Sequence, residues 1–252
     1  MSATLLEARN VGKAFGHFVA VRDVSLSIKE RELTALIGPN GAGKTTFYKM
    51  VSGRLKPSTG SVRFRGEDIT GLPPHRVSRL GISRSFQITN IFNELTVLEN
   101  VQVALVAHHN KGLKLWRVAA RDRALEDEAL ALLARLGLER QAPRRAGTLS
   151  HGDKRLLELA IVLATEPTLV LLDEPTAGMT PEETRAVVRL IRDLADTGRY
   201  TFFLTEHDME VVFGVAQRIC VMHRGELLAE GTPEEIRRNR DVRTAYLGED
   251  SD

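Results

Sequence analysis

The chain has 252 residues, and its 35 lysines and arginines nearly balance 33 aspartates and glutamates, leaving a formal charge of +2. That balance creates no strong field for nucleic acid, while 42% hydrophobic residues is ordinary for a globular protein with a buried core. No apolar run approaches the ~18 residues of a membrane span, and one cysteine, Cys220, excludes an internal disulfide. A membrane role would need other chains to supply the pore. The opening MSATLLEARN has neither the basic leader nor the apolar run of a signal peptide, so a reducing cytosol is expected.

In chain order, residues 4–9 and 24–28 read as short strands separated by glycine-containing loops. Leu33–Ile37 is a continuous apolar strand ending at Gly38, and a helix is predicted to begin near Gly43. Residues 61–65 alternate as another strand, and Gly71-Leu72-Pro73-Pro74 breaks the chain before a short helix over 75–80. From Val97 to about Gly137 the pattern is helical, interrupted near Asn110-Lys111-Gly112. Ala124, Leu125, Ala129, Leu132, Leu133 and Leu136 form one apolar face there. After Ser150, helix and strand alternate over 154–164, 169–172, 181–195 and 200–205, and Cys220 lies in an apolar run that reads as a buried strand. The order predicts an α/β fold with a largely parallel sheet covered by helices.

Gly38-Pro39-Asn40-Gly41-Ala42-Gly43-Lys44-Thr45, followed by Thr46, fulfils the P-loop pattern directly after a predicted strand. Glycines let consecutive backbone N–H groups fold around phosphate oxygens, and the following helix adds the positive end of its dipole. Lys44 can reach the β- and γ-phosphates, and the Thr45 hydroxyl can ligate Mg²⁺. Kinases, GTPases and motors share this cradle, so it defines nucleotide binding and leaves the reaction open. A second site follows Leu169-Val170-Leu171-Leu172, where Asp173 and Glu174 end an apolar strand. Ligands of open α/β sheets collect at such carboxyl ends. Asp173 suits the Mg²⁺ shell, and Glu174 can orient or deprotonate an attacking water.

Other segments carry a family resemblance. Leu149-Ser150-His151-Gly152-Asp153, with Lys154-Arg155, resembles the LSGGQ-[KR]-R signature of ABC ATPases, His151 and Asp153 departing from it. Thr205-Glu206-His207-Asp208 resembles the family's switch-histidine segment, Phe86-Gln87 its Q-loop, and Phe15 its adenine-stacking aromatic. Five motifs in the family's order span about residues 4–248. The resemblance implies a single ATP-binding domain over 1–252: a P-loop NTPase core at about 1–87 and 166–252, an N-terminal antiparallel β part, and a helical insertion at about 88–165. It implies ATP hydrolysis with catalytic roles for Glu174, His207, Gln87 and Lys44. Mg²⁺ would be held through Thr45, Gln87 and Asp173. It also implies a sandwich dimer, a homodimer or a heterodimer with a second ABC ATPase, in which Ser150 and the Gly152 N–H of one chain meet the γ-phosphate on the other chain's Lys44. Thr180 stands where the family usually has Asp, at a position that helps couple the two sites. Read without the family, Ser150 is a helix N-cap and Phe15 a packing residue.

Three stretches resemble the ATPases of branched-chain amino-acid uptake and their urea and amide relatives. They are Arg84-Ser85-Phe86-Gln87 with Leu95-Thr96-Val97-Leu98-Glu99-Asn100, the basic insertion at 107–121 with the only tryptophan, Trp116, and the ending Ala245-Tyr246-Leu247-Gly248-Glu249. The resemblance then implies an importer ATPase peripheral to the cytoplasmic face of the inner membrane. Its partners would be two transmembrane permease subunits and, indirectly, a solute-binding protein, with no nucleic acid. An exporter or lipopolysaccharide-transport ATPase keeps the same chemistry. A soluble ABC protein of ribosomes or DNA would carry two cassettes or a long coiled coil, and this chain has one P-loop and no sustained heptads. The membrane partner is expected on residues 88–94, with Ile88 and Ile91 in the groove and Phe92 the better candidate for the core.

Overall fold

The structure, a computed structural model, describes residues 3–85, 91–109 and 122–247. Two sheets organise it. The first is antiparallel, in the order β2-β1-β4-β5, from β1 (Thr4–Phe15), β2 (Phe18–Lys29), β4 (Thr59–Phe64) and β5 (Glu67–Asp68). The second runs β10-β9-β3-β8-β7-β6, from β3 (Leu33–Ile37), β6 (Ile82–Arg84), β7 (Leu169–Asp173), β8 (Thr201–Thr205), β9 (Arg218–His223) and β10 (Glu226–Gly231). Its pairs are parallel except the β9–β10 edge. The predicted architecture is present.

The period of two along the second sheet decides which side chain enters which core. Ala35, Ile37, Val170, Leu172, Phe202, Leu204, Ile219 and Val221 face one cluster. Leu36, Leu169, Leu171, Phe203, Cys220 and Met222 face the other. Because both faces are buried, these strands read as unbroken apolar runs. The antiparallel sheet and α1 (Lys44–Val51) pack on the second face. On the first face lie α3 (Val97–His108), α4 (Arg123–Arg135), α5 (His151–Leu163) and α6 (Pro181–Asp196). Helices of the 88–165 segment therefore share their core with the main sheet. Shorter helices are α2 (Pro74–Arg79), α7 (Met209–Val215), α8 (Pro233–Arg238) and α9 (Arg240–Leu247). Among the described residues no helix is long and apolar enough to cross a membrane.

Several sequence expectations need correction. Strands β1 and β2 run almost to each other across Gly16-His17, where the sequence suggested loops. Register shifts near Asn10 and Gly12 break the alternation that would have marked the strands. Helix α5 begins at His151, three residues early, because the Ser150 hydroxyl accepts from the Asp153 N–H (3.1 Å). Ala124 is exposed, while Leu125, Ala129, Leu132, Leu133 and Leu136 are buried as expected.

The docking segment inverts the expectation for two side chains. Ile91 is 7% exposed and belongs to the core, whereas Phe92 is 55% exposed. Buried Asn100 fixes this choice by accepting the Phe92 N–H (2.8 Å) and donating to the Phe92 carbonyl (3.1 Å), which sets the local backbone. Ile88, Phe86, Gln87 and Trp116 lie outside the described residues.

Candidate active site

The cradle joins β3 to α1. Gly38 has φ 155°, and a Cβ there would sit 2.2 Å from the Met222 carbonyl oxygen of β9, so the loop lies directly on the neighbouring strand. Gly43, the N-cap of α1, has φ 96°, and a Cβ would meet the Ala20 carbonyl at 2.6 Å. Only glycine meets both demands. The Lys44 ammonium donates to the carbonyls of Gly38 (2.5 Å) and Pro39 (3.1 Å), which hold it inside the loop. Burial lowers its pKa from the usual lysine value, and the charge of Glu174 partly opposes that shift.

A cleft of about 290 Å³ opens above this loop, lined by Asn40, Gly41, Ala42, Gly43, Lys44, Thr45 and Thr46 together with Ala20, Phe18, Glu174 and His207. Folding thus brings residues from three distant motifs to one cavity. Glu174 directly follows β7 in the left-handed backbone region (φ 49°), uncommon for a non-glycine residue. Its N–H donates to the Thr205 carbonyl (3.0 Å) on β8. Its Oε1 lies 2.6 Å from His207 Nε2, so the two predicted catalytic side chains meet.

Asp173 is buried one residue earlier. Its Oδ1 accepts from the Thr205 hydroxyl (2.7 Å) and its Oδ2 from Arg84 (2.5 Å). Glu206, also buried, accepts from the Thr176 N–H (3.0 Å), the Thr176 hydroxyl (2.5 Å) and the His207 N–H (3.1 Å). It ties the loop after the acidic strand to the segment bearing His207. The site roles of Arg84, Thr205 and Glu206 were missed from sequence. Each lies in a segment that carries the family resemblance, but its contact with a motif residue is made only by the fold.

The signature segment sits apart from this cleft within one chain. Ser150 caps α5, and Gly152 is buried beside Glu183, whose carboxylate lies 2.7 Å from where a Gly152 Cβ would be. His151 Nε2 is 3.3 Å from the Ala177 carbonyl oxygen, so this departure from the signature bridges α5 to the loop after Glu174. Thr180 closes that loop as the N-cap of α6, in a capping box with Glu183. Those hydrogen bonds, first from the Thr180 N–H and then its hydroxyl, hold the Glu183 carboxyl below its usual range.

Phe15 projects from the β1–β2 hairpin, half exposed, with Lys13 Nζ 5.4 Å from its ring centre. Its cross-strand partner Phe18 reaches the cleft lining. Phe18, 66% exposed, was not anticipated from sequence.

A glycine loop at a helix N-terminus, a carboxylate pair at a strand end and a histidine on the second carboxylate define a P-loop nucleotide-binding ATPase. The comparisons name its family. The ABC transporter profile matches residues 21–177, and the profile described as branched-chain amino acid ATP-binding cassette transporter matches 226–252. The chain is 44% identical to the high-affinity branched-chain amino acid transport ATP-binding protein LivG of Salmonella typhimurium, over 99% of this chain and 100% of that protein. It is 35% identical to the lipopolysaccharide export ATP-binding protein LptB of Acidithiobacillus ferridurans, over 97% of each. Among solved structures, the ADP conformation of the ATP-binding cassette MJ1267 is similar at TM-score 0.85 and 30% identity, covering 98% of this chain and 100% of that one. A dimeric post-hydrolysis state of the cassette MJ0796 with ADP and Pi is similar at TM-score 0.76 and 27% identity, covering 91% and 99%. This chain belongs to the ABC transporter family and is the ATP-hydrolysing subunit of an ABC transport system.

Proposed function

We propose that this chain powers uptake of branched-chain amino acids, or of a related small polar solute. It would do so as a dimer on the cytoplasmic face of the membrane, beneath two permease subunits fed by a solute-binding protein. The observation that carries this reading is full-length similarity to LivG together with the C-terminal match over 226–252. The lipopolysaccharide-export alternative rests on the lower identity to LptB.

The substrate is MgATP. Thr45 and Asp173 offer hard oxygen donors of the kind Mg²⁺ prefers. Among the described residues no cluster of three or more His, Cys, Asp or Glu could hold a metal. A divalent ion would therefore arrive with the phosphate oxygens of the nucleotide, and Gln87 would add an amide oxygen. Lys44 exchanges the Gly38 and Pro39 carbonyls for phosphate oxygens, and the N–H groups opening α1 supply the anion site. Phe15, and with it Phe18, offers the base an apolar wall. Glu174 orients the attacking water, and His207 fixes its carboxylate and reaches the γ-phosphate. Ser150 and the Gly152 N–H complete the site from the second chain, since within one chain they stand outside the cleft.

The reading is tested by deleting the gene and measuring uptake of labelled leucine, isoleucine and valine. Uptake should fall and return with the wild-type chain but not with Glu174→Gln. Unchanged uptake of all three, and of other amino acids, would overturn the substrate assignment.

A further inference from the structure

The pairing of Arg84 with Asp173 is the feature the family motifs leave unexplained. Arg84 ends β6, beside β7, and both side chains are nearly inaccessible, 6% and 2% exposed. Taking two charges out of water costs more than a simple ion pair returns unless the geometry is very good, so burial alone gives the pair no stability argument. The contacts here are directional although Arg84 Nε is buried without a partner among the described residues, so they speak for orientation and not for stability. One guanidinium nitrogen donates to Asp173 Oδ2 at 2.5 Å, and another approaches the Ser52 hydroxyl at 3.4 Å, just beyond the C-terminal end of α1. The guanidinium lies over the Tyr48 ring, 5.0 Å from its centre. Tyr48 is itself fixed by donating to the Phe203 carbonyl (2.8 Å) and stacking on the Phe203 ring (5.5 Å).

Those contacts leave the carboxylate little freedom. Arg84 holds one oxygen of Asp173 and the Thr205 hydroxyl holds the other, so rotation about the carboxylate bond breaks a charge-assisted hydrogen bond at each end. Each oxygen keeps a further lone pair. Arg84 engages the Ser52 end of α1, whereas Thr45 stands in the first turn of that helix, so the guanidinium and the nucleotide address opposite ends of it. Partners behind a metal-binding carboxylate commonly set its orientation, and their loss costs about 10–100-fold in metal affinity or activity.

We propose that Arg84 is a positioning residue for the Mg²⁺ of MgATP: it locks the Asp173 carboxylate in the rotation that receives the metal, and acts only through Asp173. The proposal rests on the reading that Asp173 serves that metal.

The test is binding of a fluorescent ADP analogue to the full chain, with Mg²⁺ and with EDTA, which separates the metal's contribution from that of the nucleotide. Asp173→Asn checks the underlying reading: if this variant keeps the full Mg²⁺ enhancement, the role of Asp173 is wrong whatever Arg84 does. With that role in place, Arg84→Met should lose about tenfold or more of the Mg²⁺ enhancement while its affinity in EDTA stays within about twofold of wild type. Arg84→Lys, which keeps the charge but not the planar fork, should fall between them. Arg84→Met leaves a buried carboxylate without its cation, so it can fail to fold. The double variant Arg84→Met/Asp173→Asn removes that charge and should regain thermal stability without regaining the Mg²⁺ enhancement. If Arg84→Met does not fold, Arg84→Lys decides, and an enhancement equal to wild type overturns the proposal. An equal loss with and without Mg²⁺ in Arg84→Met would make Arg84 a packing residue. A tighter response to Mg²⁺ would make it a competitor of the metal. Either result overturns the proposal.

Discussion

Replacing Glu174 by Gln removes one negative charge and almost nothing else. The backbone at φ 49° is held by the Glu174 N–H to the Thr205 carbonyl, which glutamine keeps. The lost interaction is the carboxylate's share of the 2.6 Å contact with His207, between side chains 30% and 48% exposed. At that exposure the folding cost is at most about 1 kcal/mol. Nucleotide affinity should hold or improve slightly, because the charge removed faces the incoming phosphates. Turnover should fall by about 10²–10⁴-fold, or roughly 3–5 kcal/mol of barrier, the usual share of a positioned general base. Steady-state phosphate release measures the loss, and gel filtration with ATP should reveal a trapped dimer. Hydrolysis within about threefold of wild type would show that another group orients the water.

Three further outcomes follow from the same geometry. Lys44→Ala should weaken ATP binding by about 1.5–3 kcal/mol, the worth of a charge-assisted phosphate contact, and isothermal titration at unchanged affinity would remove Lys44 from the cradle. Burial pushes the Cys220 thiol from 9.0 to about 12, so iodoacetamide at pH 8 should label only unfolded chains. The neutral thiol's contribution to stability is full below pH 9 and is lost as pH rises toward about 12, and rapid native labelling would contradict its burial. Ile91→Asp should cost upwards of about 3 kcal/mol by burying an unpaired charge, whereas Phe92→Asp should leave thermal unfolding within about 0.5 kcal/mol. Phe92→Asp is therefore the variant in which assembly with membrane subunits can be tested on a folded chain, and equal unfolding of the two would reverse the assignment of core and surface.

The sequence was most informative where chemistry and chain direction coincide. The octet Gly38 to Thr45 fixes its own shape through glycine and helix start, and an apolar strand ending at Asp173, with Glu174 next, delivers both carboxylates to the carboxyl end of the sheet. His207 was placed by resemblance alone, and its contact with Glu174, which no sequence pattern announces, comes from the fold. Pairs made only by the fold were not legible. Arg84 and Asp173 lie 89 positions apart, and parallel strand pairing, which no local pattern predicts, makes them neighbours. Glu206 was legible only as a member of the segment bearing His207, and its hold on Thr176, 30 positions earlier, is made by the fold. At 91–92 the sequence favoured Phe92 for the core, and one asparagine side chain, Asn100, sets the backbone that turns Ile91 inward instead.

The account turns on an ATP site built from two chains, and subunit mixing reaches it most directly. Lys44→Ala chains lack the phosphate lysine, and Ser150→Arg chains carry bulk where the partner's γ-phosphate would sit, so each should be nearly inactive alone. Mixed at equal amounts they form hybrid dimers holding one complete site and one site damaged on both sides. The predicted result is recovery of hydrolysis to about a quarter of wild type, since random pairing makes half the dimers hybrid with one working site each. Wild-type turnover by Ser150→Arg chains alone, or a mixture no faster than the average of its parts, would contradict a shared site.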